Sequence, residues 1–388
     1  MKNLIVEKRA YFDWAATALP DESVLEEKVP FANPSSLHSE GRAARAALEN
    51  ARERCAAILR VSAKTIYFTS GGTESNAIVL HSALVRGSTG PILVSTVEHP
   101  SIRENCRALE RLGKQTGAVS VEKDGRLTPV TLTKALDKYP DVRVAALMAL
   151  NNETGAVMDI EGLVRCIRAR ERAPVHIHSD LVQAIGKVPV SLSAWDVDSG
   201  SISAHKLGGP RGIGLLYLRK RLDTLYVGGG QERGVRPGTE NTAGALALAA
   251  CLERYAGPDM VLTEHAAACV RCARLINGLL AIPGTALIPT DRAATDERFS
   301  PYILQVAFRN IPGEVMVRAL DDAGFAVSTG SACSSAGHER PVLAAMGLDQ
   351  RTRLEGIRIS QGYSTTMEEI ERLLEAIQQI CDLLGGIV

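Results

Sequence analysis

The sequence predicts an α/β protein whose larger part is built on a mainly parallel sheet, with a smaller α+β unit following it. Three observations lead there. Between residues 65 and 218, apolar runs of strand length alternate with stretches of helical periodicity, the pattern of parallel strands joined by crossover helices. Polar residues able to carry chemistry fall at or just after the carboxyl ends of those runs, where such sheets bind ligands. Composition shifts near Ala256-Gly-Pro-Asp-Met260, which predicts a boundary before the smaller unit.

In order, residues 1–20 read as an extended lead-in, with Tyr11-Phe-Asp-Trp-Ala-Ala-Thr17 as its distinctive part. Asn33-Pro-Ser-Ser-Leu-His38 is a polar turn cluster. Ala and Leu at spacings of three and four predict a helix from Ser39 to Leu59. Residues 65–69 form a short strand that runs into Ser70-Gly-Gly-Thr-Glu-Ser-Asn76 and a helix start. A strand, a Gly-rich turn and a helix N-terminus make an anion cradle or a plain tight turn. Further strands are expected at 91–96, 142–150, 174–180 and 212–218. Gly228 to Asn241 is a long polar loop, and the helix from Thr242 to Tyr255 is rich in Ala and Gly. A helix of about 20 residues and a loop over 282–300 come next. Strands 302–308, 325–328 and 356–360 and a helix over 313–323 complete the smaller unit. Thr366-Met-Glu-Glu369 reads as a capping box that opens the last helix.

Composition narrows the classes of function. Lys+Arg and Asp+Glu are both 44, for a formal charge of zero, whereas nucleic-acid binders carry a basic surplus. A nucleic-acid partner is therefore not expected. No apolar run approaches the roughly 18 residues that would span a bilayer. Charges enter the N-terminal segment too early for a signal peptide, so the expected location is the cytoplasm. The eight cysteines are scattered, as free thiols in a reducing compartment are. Cys269-Val-Arg-Cys272 is a lone pair in a helical stretch and weak evidence for metal or redox chemistry. His176 and His178 share one strand face, and hydrogen-bonded histidines are the plainer reading than metal ligands.

Two stretches carry chemistry. In Ser199 to Gly214, small and polar residues bring Ser203, His205 and Lys206 together before a glycine-forced turn. A lysine beside an anion site is a candidate for a Schiff base with a phosphorylated aldehyde, pyridoxal phosphate. Thr329-Gly-Ser-Ala-Cys-Ser-Ser-Ala-Gly337 sets Cys333 in a loop of small residues with no core to pack into. A thiolate on such an arm suits a nucleophile that reaches a substrate and carries a product away. Arg358, alternating with apolar residues on a strand, is a surface charge or a fork for a substrate carboxylate.

With these residues assembled, the sequence resembles the pyridoxal-phosphate-dependent cysteine desulfurases, within the class V aminotransferase group of fold type I. The resemblance runs from about Tyr11 to the final helix. It rests on Phe68–Asn76, Val97-Glu-His99, Asn151-Asn-Glu153, Ser203–Lys206, Arg233–Thr239 and Gly330–Ser334. Ala204 and Gln361 depart from the family's commonest pattern, at positions with no chemical role.

The resemblance implies a large cofactor-binding domain over residues 15–257, with 1–14 and 258–388 forming the small domain. It implies that Lys206 holds pyridoxal phosphate and moves protons, that Asp180 pairs with the pyridine nitrogen, and that His99 stacks on the ring as an acid/base. Asn152 and Gln183 would bind the ring's 3′ oxygen. Gly72, Thr73, Ser203 and His205 would bind the phosphate, with Thr239 reaching it from the other subunit of a homodimer. Arg358, helped by Asn33, would hold the carboxylate of L-cysteine. Cys333 would take the sulfur as a persulfide and release L-alanine, for iron–sulfur cluster or thio-cofactor assembly. The Gly-Ser-Ala-Cys sequence marks the subgroup with a long, mobile cysteine loop. A sulfur-acceptor or scaffold protein is the implied partner. No resident metal is implied, Cys333 being at most a transient iron–sulfur ligand. A selenocysteine lyase and a class V aminotransferase remain the neighbouring alternatives; a non-catalytic binding protein would leave Lys206, Asp180, His99 and Cys333 together unexplained.

Overall fold

The computed structural model describes residues 9–26, 28–85, 90–170, 172–330 and 340–385. The elements in order are β1 (Ala10–Tyr11), α1 (Ser39–Leu59), β2 (Ile66–Thr69), α2 (Gly72–Val85), β3 (Ile92–Ser95), α3 (Pro100–Arg111), β4 (Thr116–Val119), α4 (Pro129–Lys138), β5 (Val144–Met148), α5 (Ile160–Arg168), β6 (His176–Asp180), β7 (Ser199–Ser203) and β8 (Gly214–Leu218). Then come α6 (Thr242–Tyr255), α7 (Pro258–Ala281), β9 (Thr285–Ile288), β10 (Ile303–Phe308), α8 (Gly313–Asp322), β11 (Phe325–Ala326), α9 (Pro341–Ala345), α10 (Gln350–Glu355), β12 (Gly356–Ser360) and α11 (Met367–Gly385).

The main sheet has seven strands in the order β2-β8-β7-β6-β5-β3-β4. All neighbours from β4 to β7 pair in parallel, while β8 is antiparallel to both β7 and β2. The expected mainly parallel sheet is thus present, with β8 alone reversed. The reason is length. Residues 204–213 link β7 to β8, and a parallel crossover needs roughly a dozen residues or more. The short link returns the chain beside the strand it left, and its turn carries Lys206.

Apolar side chains gather in two principal cores. One surrounds the main sheet and includes Phe68, Leu147, Ile177, Ile202 and Leu215. The other joins β10 and β12 to α7, α8 and α11 through Leu275, Val306, Phe308, Ile359 and Leu373. Ala10 and Phe12 belong to the second core and Ala15 to the first, so the N-terminal segment crosses between them. There β1 pairs with β11. The capping box of α11 forms as expected: Thr366 N–H donates to Glu369 Oε2 at 2.9 Å, and Glu369 N–H donates to Thr366 Oγ1 at 3.2 Å.

Three strands differ from the sequence reading, the first being β4, Thr-Gly-Ala-Val, which was not expected. β9 lies inside the stretch expected to be a loop; only its last two residues are buried, too few to write an apolar pattern. β7 is Ser-Gly-Ser-Ile-Ser and fully buried, with nearly no hydrophobic signal to announce a central strand.

β2 is one of the two edge strands of this sheet, and its outer side is closed by charge. Arg52 and Glu232, both buried, meet at 2.7 Å. Arg52 Nη1 donates to the Ile66 carbonyl at 2.9 Å, and Phe68 N–H donates to Glu232 Oε2 at 2.8 Å. The pair occupies backbone groups that would otherwise template another strand. Removing one partner leaves a buried charge, so Arg52→Met should cost about 3–5 kcal/mol. The Arg52→Met/Glu232→Met double variant should recover part of that loss in urea denaturation. A single-variant loss below about 1 kcal/mol, the worth of an exposed pair, would contradict this role.

Candidate active site

A cavity of about 580 Å³ opens at the carboxyl edge of the main sheet, where β5, β6 and β7 end and α2 and α3 begin. Its wall includes Gly72, Thr73, His99, Asn152, Asp180, Gln183, Ser203, His205, Lys206 and Arg358. Ten of the thirteen expected site residues therefore meet in one space.

Lys206, half-buried in the β7–β8 link, donates from Nζ to the carbonyls of Ala15 at 2.6 Å and Ala16 at 2.7 Å. Asp180 ends β6 and is 6% exposed. Its Oδ1 accepts the Val182 N–H at 3.0 Å, and Oδ2 accepts from Asn76 Nδ2 at 2.8 Å. His99 caps α3: its Nδ1 accepts the Ser101 N–H at 3.1 Å and lies 2.8 Å from Ser101 Oγ. Burial, reinforced by the positive charges of Lys206 and Arg103, outweighs the pull of Asp180 and lowers the pKa of His99. The ring is neutral at neutral pH and can serve as acid or base.

Gln183 donates from Nε2 to the Ala15 carbonyl at 2.7 Å and accepts from Lys187 Nζ at 2.8 Å. Burial pushes Lys187 down to about 7, with Lys206 and Arg358 adding repulsion. Arg358, also buried, donates from Nη2 to Asp13 Oδ1 at 2.7 Å and from Nη1 to the Asn152 carbonyl at 2.8 Å. Its guanidinium is thereby fixed on the cavity wall.

At one end the space continues among Gly71, Gly72, Thr73, Ser203, His205 and Arg211. A Cβ on Gly72 would stand 2.5 Å from Val182 Cγ2, and one on Gly214 would stand 2.5 Å from Gly71 Cα. Glycine is required for this close approach at the start of α2, whose first N–H groups lack intrahelical acceptors. With Thr73, Ser203 and Arg211 around it, the end is built for an anion. His205 lies 3.2 Å from Thr17 Oγ1, and burial with Lys206 and Arg211 pushes its pKa down to about 4.

Glu98 and Asn151 hold the scaffold. Glu98 Oε1 accepts from Ser95 Oγ at 2.7 Å and from the Met148 N–H at 2.8 Å, tying β3 to β5. Burial pushes its carboxyl up to about 8. Asn151 Nδ2 donates to the Val97 carbonyl at 3.1 Å.

Three expected residues are not on this wall. Asn33 is exposed and accepts the Ser35 N–H at 2.9 Å in a local turn. Thr239 is exposed in the loop before α6. Cys333 lies outside the described residues, although Gly330 before it and Pro341 after it both line the cavity. Among the described residues no metal-binding group of His, Cys, Asp and Glu occurs, and no helix is long and apolar enough to cross a membrane. His176 Nε2 and His178 Nδ1 each lie 2.8 Å from Ser199 Oγ, as hydrogen-bonded strand histidines do.

Sequence reading missed Asp13, Asn76, Lys187 and Arg211. Asp13 and Asn76 lay inside motifs already singled out; their tasks depend on contacts 345 and 104 positions away.

The aminotransferase class-V family profile matches residues 10–373. A cysteine desulfurase of Cereibacter sphaeroides is 39% identical, with 98% of this chain and 97% of that protein aligned. A cysteine desulfurase of Enterobacter agglomerans is 37% identical over 96% of this chain and 92% of its own. The solved structure of a NifS-like protein superposes with a TM-score of 0.87 at 33% identity, covering 97% of this chain and all of that one. The fold and the family profile thus place the chain in the aminotransferase class-V group. Within that class, the chain belongs to the cysteine desulfurase family.

Burial of His178 behind Asp180 sets an acid limit on stability. Its pKa is pushed down to about 3 by burial, with His176 adding. Unfolding restores an ordinary value, so between roughly 6.5 and 3 the unfolded chain binds the proton that the folded chain refuses. Stability should fall as pH drops below about 6.5, this group contributing up to about 1.4 kcal/mol per pH unit. Urea midpoints at successive pH values should fall less steeply in His178→Gln; equal slopes would contradict the assignment.

Proposed function

We propose that the protein is a pyridoxal-phosphate-dependent cysteine desulfurase that takes sulfur from L-cysteine onto Cys333 and releases L-alanine. The observation that carries this reading is one cavity holding Lys206, Asp180, His99 and Arg358, with Gly330 and Pro341 on its wall. Those last two flank the segment bearing Cys333.

The residues fit the cofactor. The glycine-lined end with Thr73, Ser203, His205 and Arg211 suits its phosphate, and the Asp180 carboxylate suits a protonated ring nitrogen. Gln183 and Asn152 suit its phenolic oxygen, and Lys206 suits the role of the amine that binds its aldehyde. When bound, pyridoxal phosphate supplies an electron sink for negative charge developing beside the substrate amine.

The chain's own groups do the rest. Arg358, held by Asp13 and the Asn152 carbonyl, presents a fork for the substrate carboxylate. Lys206 is the base for the Cα proton, and neutral His99 supplies or accepts a proton on the ring side. The Cys333 thiolate attacks the substrate sulfur: a sulfur–sulfur bond forms, the carbon–sulfur bond breaks, and its electron pair stays with Cβ. A proton delivered to that carbon, and return of the Cα proton from Lys206, complete L-alanine. The persulfide on Cys333 then passes to an acceptor or scaffold protein for iron–sulfur cluster or thio-cofactor assembly. A free catalytic thiol of this kind suits the reducing cytoplasm.

The working unit is a homodimer. Phe31 is 90% exposed, Val227 84% and Leu37 83%, near in sequence to Asn33 or to the Thr239 loop. Pairing two copies through these segments would cover the apolar surface and bring Thr239 and Asn33 to the partner's cavity.

Borohydride reduction of the holoenzyme should fix the cofactor to the peptide carrying Lys206, and Lys206→Ala should form no alanine from L-cysteine. The same preparation should sediment at twice the 41.5 kDa of the chain. Alanine formation by Lys206→Ala at the wild-type rate would overturn the reading.

A further inference from the structure

Asp180 is held from behind by a hydrogen-bond chain that runs from the cavity into the sheet. Its centre is Asn76 on α2, fully buried. Asn76 Nδ2 lies 2.8 Å from Asp180 Oδ2 and 2.8 Å from Ser101 Oγ, and its Oδ1 lies 2.8 Å from His178 Nε2. His178 Nδ1 is 2.8 Å from Ser199 Oγ, which also lies 2.8 Å from His176 Nε2. On the other branch, Ser101 Oγ is 2.8 Å from His99 Nδ1.

The direction of every bond follows from what each atom can do. A carboxylate oxygen only accepts, so the Asn76 amide nitrogen faces Asp180 and the amide oxygen faces His178. That oxygen also only accepts, so the His178 proton sits on Nε2, and Nδ1 accepts from the Ser199 hydroxyl. From the other end, the Ser101 backbone N–H donates to His99 Nδ1, which makes that nitrogen an acceptor. The Ser101 hydroxyl donates to it as well, leaving its oxygen to accept the second N–H of Asn76. Both ends demand the same orientation of one amide, whose two hydrogens and oxygen are all engaged.

We propose that Asn76, backed by His178, is the positioning residue for both Asp180 and His99. It fixes the carboxylate that would face the ring nitrogen and, through Ser101, the imidazole that would lie on the ring. The proposal rests on the cofactor reading above. Neither Asn76 nor His178 needs to touch substrate, so their loss should act on turnover and not on substrate affinity.

The first test is nitrogen-15 NMR of histidine-labelled holoenzyme, with resonances assigned through single variants of the eight histidines. Neutral His178 protonated at Nε2 is expected; protonation at Nδ1, or an imidazolium, would overturn the proposal. The second test compares His178→Gln with His178→Leu. Glutamine can still donate to Asn76 Oδ1, so its kcat should stay within about threefold of wild type. Leucine fills the space without a donor, and kcat should fall about 5- to 100-fold, the range set by leaving a buried amide oxygen without its donor. KM should stay within about twofold, since the bond lost serves orientation and not binding. Asn76→Asp, nearly the same size, puts a carboxylate against Asp180 and should lower kcat by at least as much. Equal kcat in the glutamine and leucine variants, or wild-type kcat in Asn76→Asp, would sink the proposal. The histidine tautomer is read without turnover, so failure of the desulfurase reading and failure of this one are separate results.

Discussion

The shortness of the link between β7 and β8 is the constraint on which the site depends. Residues 204–213 cannot cross the sheet, so β8 must run back beside β7. The turn is thereby held at the carboxyl edge of the sheet. Lys206 sits in that turn, and the same edge receives Asp180 from β6, Asn152 after β5 and His99 at the head of α3. Gly214 admits the Gly-rich turn before α2, adding the anion end. A longer link would free β8 to lie elsewhere and would release the lysine from its neighbours.

A second constraint joins the two cores. The N-terminal segment leaves the smaller core at Phe12 and enters the larger at Ala15. Between them, Asp13 takes the guanidinium of Arg358, which comes from β12. The carbonyls of Ala15 and Ala16 hold the ammonium of Lys206. One short stretch thus steadies Lys206 and Arg358 together, drawing on residues of both cores.

Much of this was legible beforehand because it is local. The strands expected to end at 96, 150 and 180 end at 95, 148 and 180, and the helix over Ser39–Leu59 is as expected. Lys206, Asp180 and His99 were marked by their places after predicted strands. What escaped was written in contacts distant along the chain. Asn76 looked like the tail of a glycine-rich turn, and only its approach to Asp180, Ser101 and His178 gives it a task. Asp13 had no visible partner until Arg358 arrived from 345 positions away. β7 was hidden by its Ser and Gly content, small side chains required by close packing, since a Cβ on Gly200 would stand 2.8 Å from Leu181 Cδ1. Asn33 and Thr239 had clear motifs, yet one chain does not bring either to the cavity.

In the proposed reaction, chemistry at Lys206 delivers sulfur to Cys333. The direct measurement is mass spectrometry of peptides from holoenzyme given one equivalent of L-cysteine and no acceptor thiol. One extra sulfur atom is expected on the Cys333 peptide, matched by one alanine released per site. Alanine released with that sulfur on any other cysteine, or with Cys333 unmodified, would contradict the proposed reaction.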